Sequence, residues 1–144
     1  MLEWRDTMSI DRGALDDDHH RLNELIRHFV ALPGEEEQRP RAIALLERLR
    51  ALAFRHFEQE ERVQAAIRYP LLADHRSQHR RLVLLLDDII AQVDERESAF
   101  AFGYAKEKAD HLLPFWFLDH FTRGDLPLKT HLAKIPGLVC APVR

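Results

Sequence analysis

Two short segments of the chain carry pairs of potential metal ligands at helical spacing. His56 and Glu60 are four residues apart, and so are His75 and His79. Four residues of an α-helix turn through about 400°, so the two side chains of each pair project from one face of the helix, one above the other. Imidazole and carboxylate groups bind transition metals, including iron. The two pairs therefore indicate metal chemistry if the rest of the chain supplies partners.

Apolar residues recur at helical spacing in four stretches, and further histidines lie within these stripes. His19 lies in the stripe of the first stretch and His120 in that of the fourth. We expect helices over about 15–32, 40–67, 71–94 and 97–121. Pro33-Gly34 and Tyr69-Pro70 break the pattern, because proline and glycine interrupt helices. No stretch alternates with the period of a strand.

The fold prediction is all-α. It consists of an antiparallel up-down-up-down four-helix bundle with an N-terminal arm over residues 1–125, followed by an irregular C-terminal tail over residues 126–144. In this topology the starts of the first and third helices lie beside the ends of the second and fourth. Polar stripe residues of all four helices therefore meet at one end of the core, namely His19, His56, Glu60, His75, His79 and His120.

A metal is the simplest way to satisfy so many polar groups in one layer of a core, since each unpaired buried group costs about 1–3 kcal/mol. Asp125 does not share the face of His120 on a regular helix. It follows His120 by five residues, a turn of about 500°, so a regular helix points it away from the site. A π-type widening or a helix end at Gly124 would return it. Spacing alone leaves Asp125 open as a ligand.

These residues together resemble the hemerythrin family in its single-domain bacterial form. The resemblance covers residues 4–125. It rests on Trp4 and on the motifs Asp16-x-Asp18-His19-x-x-Leu22, His56-Phe57-x-x-Glu60-Glu61, Tyr69-Pro70, His75-x-x-x-His79 and Trp116-x-x-x-His120-x-x-x-x-Asp125. The resemblance implies two iron ions joined by an oxo or hydroxo bridge, without haem.

The resemblance also implies a role for each ligand. His75, His79 and His120 would bind one iron, and His19 and His56 the other. Glu60 and Asp125 would bridge the two ions. The iron with two histidines would keep an open position for O2.

The implied function is reversible O2 binding for storage, delivery or sensing rather than catalysis. A dry apolar pocket slows irreversible oxidation of such a site. The candidates for its wall are Leu22, Phe57, Trp116, Phe117 and Phe121. Asp18 stands where the family usually has glutamine, and phenylalanines stand at 117 and 121 where aliphatic residues are usual. These departures affect oxygen affinity and access rather than the ligand set.

Two alternatives remain open, and two others are disfavoured. The same centre could belong to an enzyme that reduces O2, peroxide or nitric oxide, or to a redox-sensing signalling module with a protein partner for the tail. A structural zinc site needs only four ligands, so seven argue against it. A ferritin-like oxidase requires Glu-x-x-His motifs, and the sequence contains none.

Composition excludes several other classes. The net charge is −3 and both signs are interspersed, so no basic stripe indicates nucleic acid. No apolar run approaches the roughly 18 residues of a membrane span, and the N-terminus does not read as a signal peptide, so we expect a cytoplasmic protein. The expected partners are O2, with nitric oxide, azide or other small anions as possible further ligands. The four remaining histidines are expected at the surface: His20, His28, His111 and His131.

Overall fold

Four long helices form the fold of the computed structural model, which describes residues 14–95, 102–121 and 126–133. They are α1 (Ala14–Ala31), α2 (Arg39–Ala66), α3 (Leu72–Asp94) and α4 (Phe102–His120), and a shorter helix, α5 (Leu126–Ala133), follows. α1 packs on α2, α2 on α3, α3 on α4 and α4 on α1. This closed ring of sequential neighbours confirms the predicted four-helix bundle. None of the described helices combines the length and hydropathy needed to cross a membrane.

The helix ends follow from local sequence chemistry. Pro40 lies in the first turn of α2, where its missing N–H breaks no helical hydrogen bond, and the 3₁₀ turn Glu36–Gln38 leads into it. At the other end of α2, Arg68 adopts φ 53°, a left-handed conformation that reverses the chain. The amide of Tyr69 then donates to the carbonyl of Gln64 at 2.8 Å and closes the last turn. The reversal sets α3 antiparallel to α2.

The C-terminal segment is more regular than we predicted. The expectation of an irregular tail is corrected for residues 126–133, which form α5. Pro127 occupies its first turn, where proline is tolerated. Leu128 is fully buried against Leu15, Tyr69 and Phe121, so α5 covers the end of the bundle. The predicted N-terminal arm, the predicted start of the fourth helix and residues 134–144 lie outside the described residues.

The main core runs along the bundle axis and is aliphatic and aromatic. Its fully buried side chains include Ile26 and Phe29 of α1, Leu46 of α2, Leu86 of α3 and Leu113 of α4. Burial of each such side chain contributes about 1.5–3 kcal/mol. Helix α4 continues through Pro114, which is half-buried. The core thus holds four rigid helices in register from one end of the bundle to the other.

Two buried cations lie at the end of the core where α2 and α4 begin. Arg39 donates to the carbonyls of Val93 and Glu95 and lies over the ring of Phe102. Lys106 is 1% exposed, and its ammonium contacts the Asp110 carboxylate at 2.6 Å. Burial raises the pKa of the Asp110 carboxyl, although the Lys106 ammonium acts in the opposite direction. The ion pair therefore does not fully offset the cost of burying its carboxylate.

We expect Asp110→Ala to lower the free energy of unfolding by about 3 kcal/mol, because it leaves the Lys106 ammonium buried without its carboxylate. The double variant K106M/D110A, which removes both charges and keeps an unbranched apolar chain, should return to within about 1 kcal/mol of the native chain. Urea unfolding of the metal-free proteins measures both. Equal losses in the single and double variants would show that the pair has no such coupling.

Candidate metal centre

Two groups of buried donor side chains share one carboxylate. Glu60, His75, His79 and His120 form the first group, and His19, His56 and Glu60 form the second. Within each group, one donor atom from every residue lies within 4.8 Å of the others. Five of the six side chains are at most 3% exposed, and His120 is 9% exposed. The two groups can therefore each hold a metal ion in a nearly dry environment.

Each of the four long helices contributes to this cluster at the same end of the bundle. α1 supplies His19, α2 supplies His56 and Glu60, α3 supplies His75 and His79, and α4 supplies His120. This is the convergence expected from the antiparallel topology. The structure thus brings six of the seven sequence-predicted ligands together; their assignment as ligands stays a prediction.

Asp125, the seventh predicted ligand, lies outside the described residues. Phe121, immediately after α4, is in π-helical conformation. Such a turn is one of the two backbone changes that the sequence required for Asp125 to face the site. The role of Asp125 stays a prediction.

The carboxylate of Glu60 divides its two oxygens between the two groups. Oε1 lies 2.8 Å from Nε2 of His75 and 3.3 Å from Nε2 of His79. Oε2 lies 3.3 Å from Nε2 of His56. A carboxylate placed in this way, with one oxygen toward each set of imidazoles, has the geometry to bridge two ions.

The opposite ring nitrogens of these histidines face polar side chains. Nδ1 of His56 lies 3.2 Å from Oδ2 of Asp18, and Nδ1 of His79 lies 2.8 Å from Oε2 of Glu61. An ionised carboxylate only accepts hydrogen bonds, so each Nδ1 carries the proton and donates it. The lone pair is then on Nε2, the nitrogen that faces Glu60. These contacts favour the tautomer in which Nε2 is available to bind a metal ion.

The side chain of Gln64 contacts Nδ1 of His75, as Asp18 contacts His56 and Glu61 contacts His79. Its amide nitrogen lies 2.5 Å from Nδ1 of His75, while its buried Oε1 has no hydrogen-bond partner among the described residues. Rotation of the amide by 180° exchanges the two atoms and lets Oε1 accept a hydrogen bond from Nδ1. In that orientation Gln64 gives His75 the same tautomer as His56 and His79.

Aromatic rings surround the imidazoles. Phe57 stacks on His79 with ring centroids 4.1 Å apart and meets the ring of His120 edge-on at 5.3 Å. Phe121 meets His19 edge-on at 4.8 Å and Phe117 does so at 6.2 Å. Two of the predicted pocket residues, Phe117 and Phe121, therefore lie beside the group with fewer histidines, whereas Phe57 lies closest to the other group.

The other two predicted pocket residues are placed differently. Leu22 is buried in the main core. Trp116 packs 6.4 Å from the ring of Phe57, and its indole N–H donates to the carbonyl of Leu82 at 3.2 Å. The indole N–H is thus engaged by the backbone of α3. The role of all five residues as a wall for O2 stays a prediction.

Two surface hollows reach the group with three histidines. A groove of about 500 Å³ between α2 and α3 includes Phe57 and His79 in its lining. A cleft of about 330 Å³ between α3 and α4 includes His120. His79 and His120 are therefore the donors that border surface hollows.

The sequence prediction missed two residues that contact the donors, Asp18 and Gln64. Asp18 precedes His19 in an acidic run that reads as a helix start. Gln64 carried a detectable signal, because it follows Glu60 by four residues and so shares its helix face. The surface prediction agrees with the exposed side chains of His20, His28 and His111, whereas His131 is half-buried beside Tyr69.

Comparison with models of protein families shows which family the chain belongs to. The hemerythrin HHE cation-binding domain matches residues 12–130. The chain belongs to the hemerythrin family. This match spans all four long helices and every described donor of the cluster, so the hemerythrin fold and a buried histidine and glutamate cluster able to bind metal occur together. No curated protein matches the chain.

Proposed function

We propose that the chain holds a non-haem di-iron centre that binds O2 reversibly, for oxygen storage, delivery or sensing. The observation that carries the proposal is the division of Glu60 between two sets of imidazoles. Its Oε1 lies within 3.3 Å of Nε2 of both His75 and His79, while its Oε2 lies 3.3 Å from Nε2 of His56. Imidazole and carboxylate donors suit iron. Family membership supports the same donor set.

The donor set fits two ions of unequal coordination. His75, His79 and His120 would hold one iron, and His19 and His56 the other, with Glu60 shared between them. Asp125 and an oxo or hydroxo group would be the other two bridges. The iron with two histidines then keeps room for a small ligand. Bound iron supplies the reversible exchange of electrons with O2 that protein side chains lack.

The surrounding residues favour binding over reduction of O2. The rings of Phe117 and Phe121 cover His19 and limit access of water to the group with fewer histidines. Neither ring can donate a proton. The indole N–H of Trp116 is a hydrogen-bond donor rather than an acid, and it is already bonded to the Leu82 carbonyl. An enzyme that cleaves the O–O bond needs a donor within hydrogen-bond reach, so a reversible carrier or sensor agrees better with this lining.

The experiment is an absorption spectrum of the purified protein with its iron content, recorded before reduction, after reduction and after exposure to O2. We expect about one iron for each donor group. We also expect a charge-transfer band that appears with O2 and disappears when O2 is removed. His56→Ala should lose this band, because it removes a donor from the group with two histidines. His28→Ala, an exposed histidine of α1, is the matched control and should keep it.

Other outcomes would contradict the proposal in distinct ways. Two irons that oxidise at once, with no reversible band, would favour an enzyme that reduces O2, peroxide or nitric oxide, or a redox-sensing module. A protein that takes up zinc but no iron would remove the di-iron centre from consideration.

A further inference from the structure

Asp18 is a buried carboxylate that contacts the imidazole of a candidate ligand. Its side chain is 6% exposed, and Oδ2 lies 3.2 Å from Nδ1 of His56. The other oxygen lies 4.0 Å from the guanidinium of Arg55, whose side chain is 61% exposed. A surface contact of that length neutralises a charge only weakly. Most of the carboxylate's field therefore acts on the imidazole of His56.

The three contacts behind the histidines differ in charge. Gln64, behind His75, is neutral. Glu61, behind His79, is half-buried and shares its charge with the guanidinium of Arg76 at 3.1 Å. Asp18 combines a full charge, burial and a distant counter-ion, and it backs the group with fewer histidines. The electrostatic contribution of these contacts is thus unequal for the two proposed ions.

We propose that Asp18 is a positioning residue that fixes the tautomer of His56 and, through its charge, favours the oxidised state of the ion in the His19–His56 group. A negative charge behind an imidazole increases the electron density that the ring gives to a metal, and this stabilises Fe³⁺ over Fe²⁺. The inference rests on the proposed di-iron centre. It assigns to Asp18 a role that neither its place in an acidic run nor the ligand set requires.

Substitution separates the two parts of this role. Asp18→Asn and Asp18→Gln keep an oxygen acceptor for Nδ1 of His56 but remove the charge, whereas Asp18→Ala removes both. We expect all three to shift the oxidised-to-reduced ratio about tenfold toward the reduced form, which corresponds to a rise in midpoint potential of about 59 mV for one electron. Only Asp18→Ala should also weaken binding of Co²⁺, a redox-inert probe under these conditions, by about tenfold.

The measurements are a redox titration of the iron-loaded proteins followed by their visible absorption, and a Co²⁺ titration of the metal-free proteins. Asp17→Asn is the matched control, because it removes the same charge one residue away from an exposed side chain. It should leave both quantities at the native values. The longer amide of Asp18→Gln provides a second neutral variant if Asp18→Asn does not fold.

The outcomes distinguish this inference from the function it rests on. A native chain that holds no iron would remove the proposed function itself. A native chain with both irons, together with neutral Asp18 variants at the native potential, would overturn only the role of Asp18. An equal shift in Asp17→Asn would also overturn it, because the effect would then come from charge at the start of α1 in general.

Discussion

Glu60→Gln is expected to abolish stable metal binding at both donor groups, with a loss of affinity of more than about 100-fold. The carboxylate offers one oxygen to His56 and the other to His75 and His79, so both groups depend on it. The amide of glutamine keeps one oxygen and replaces the other with an NH2 group, which cannot ligate a metal. Metal content after dialysis and a Co²⁺ titration measure the loss.

Glu58→Gln is the matched control for this substitution. Glu58 lies on the same helix, two residues earlier, with an exposed side chain, and its variant makes the same change of charge. It should bind metal like the native chain. Circular dichroism tests whether the helices of both variants are intact. Native affinity in Glu60→Gln would contradict the role of Glu60 as the carboxylate shared by the two groups.

Removal of metal is expected to lower the midpoint of thermal unfolding by roughly 10 °C or more. One ion at a thousand times its dissociation constant stabilises a folded protein by about 4.1 kcal/mol, and 1 kcal/mol corresponds to about 2–4 °C in a domain of this size. Five imidazoles and one carboxylate lie almost without water at this end of the bundle, so metal ligation satisfies groups that the unfolded chain exposes to solvent.

Calorimetry of the native chain, with metal and after chelation, measures this change in the midpoint of thermal unfolding. The Glu60→Gln variant should show no change on adding metal, which separates binding at the buried site from weak binding at exposed acids. If the native chain holds its ions but unfolds at the same temperature without them, the cluster does not couple metal binding to folding.

Much of the site could be predicted because the positions of its residues depend on helical spacing within single segments and on the bundle topology. The His56–Glu60 and His75–His79 pairs need only the period of a helix to share a face. Their convergence with His19 and His120 needs only an antiparallel bundle, which short connections between four helices enforce. The structure reproduces this convergence as two groups that share Glu60, and within each group the donor atoms lie within 4.8 Å of one another.

The remainder depends on contacts that spacing does not encode. Asp18 contacts His56 across 38 positions of sequence. Asp16 is buried as well, and nothing in an acidic run indicates which of its residues contacts an imidazole. α5 has only eight residues, which is too short for a periodic apolar pattern to be recognised in the sequence. It packs on the bundle through Leu128, which contacts the cluster of Leu15, Tyr69 and Phe121. Packing between helices, rather than the local conformational preference of the sequence, determines both the Asp18–His56 contact and the formation of α5.

The two buried cations, at the starts of α2 and α4, lie at the opposite end of the bundle from the donor cluster. Arg39 and Glu60 are separated by 21 residues of one helix, which is about 30 Å. At that distance, with an effective dielectric constant of about 20, a cation repels a unit positive charge at the cluster by only about 0.5 kcal/mol. The same cation about 5 Å away would repel it by about 3 kcal/mol. Among the described residues, the buried cations Arg39 and Lys106 therefore lie at one end of the bundle, each paired with a carboxylate. The buried acids Asp16, Asp18 and Glu60 lie at the end that holds the candidate metal site, where no buried cation of the described part of the chain opposes a metal ion.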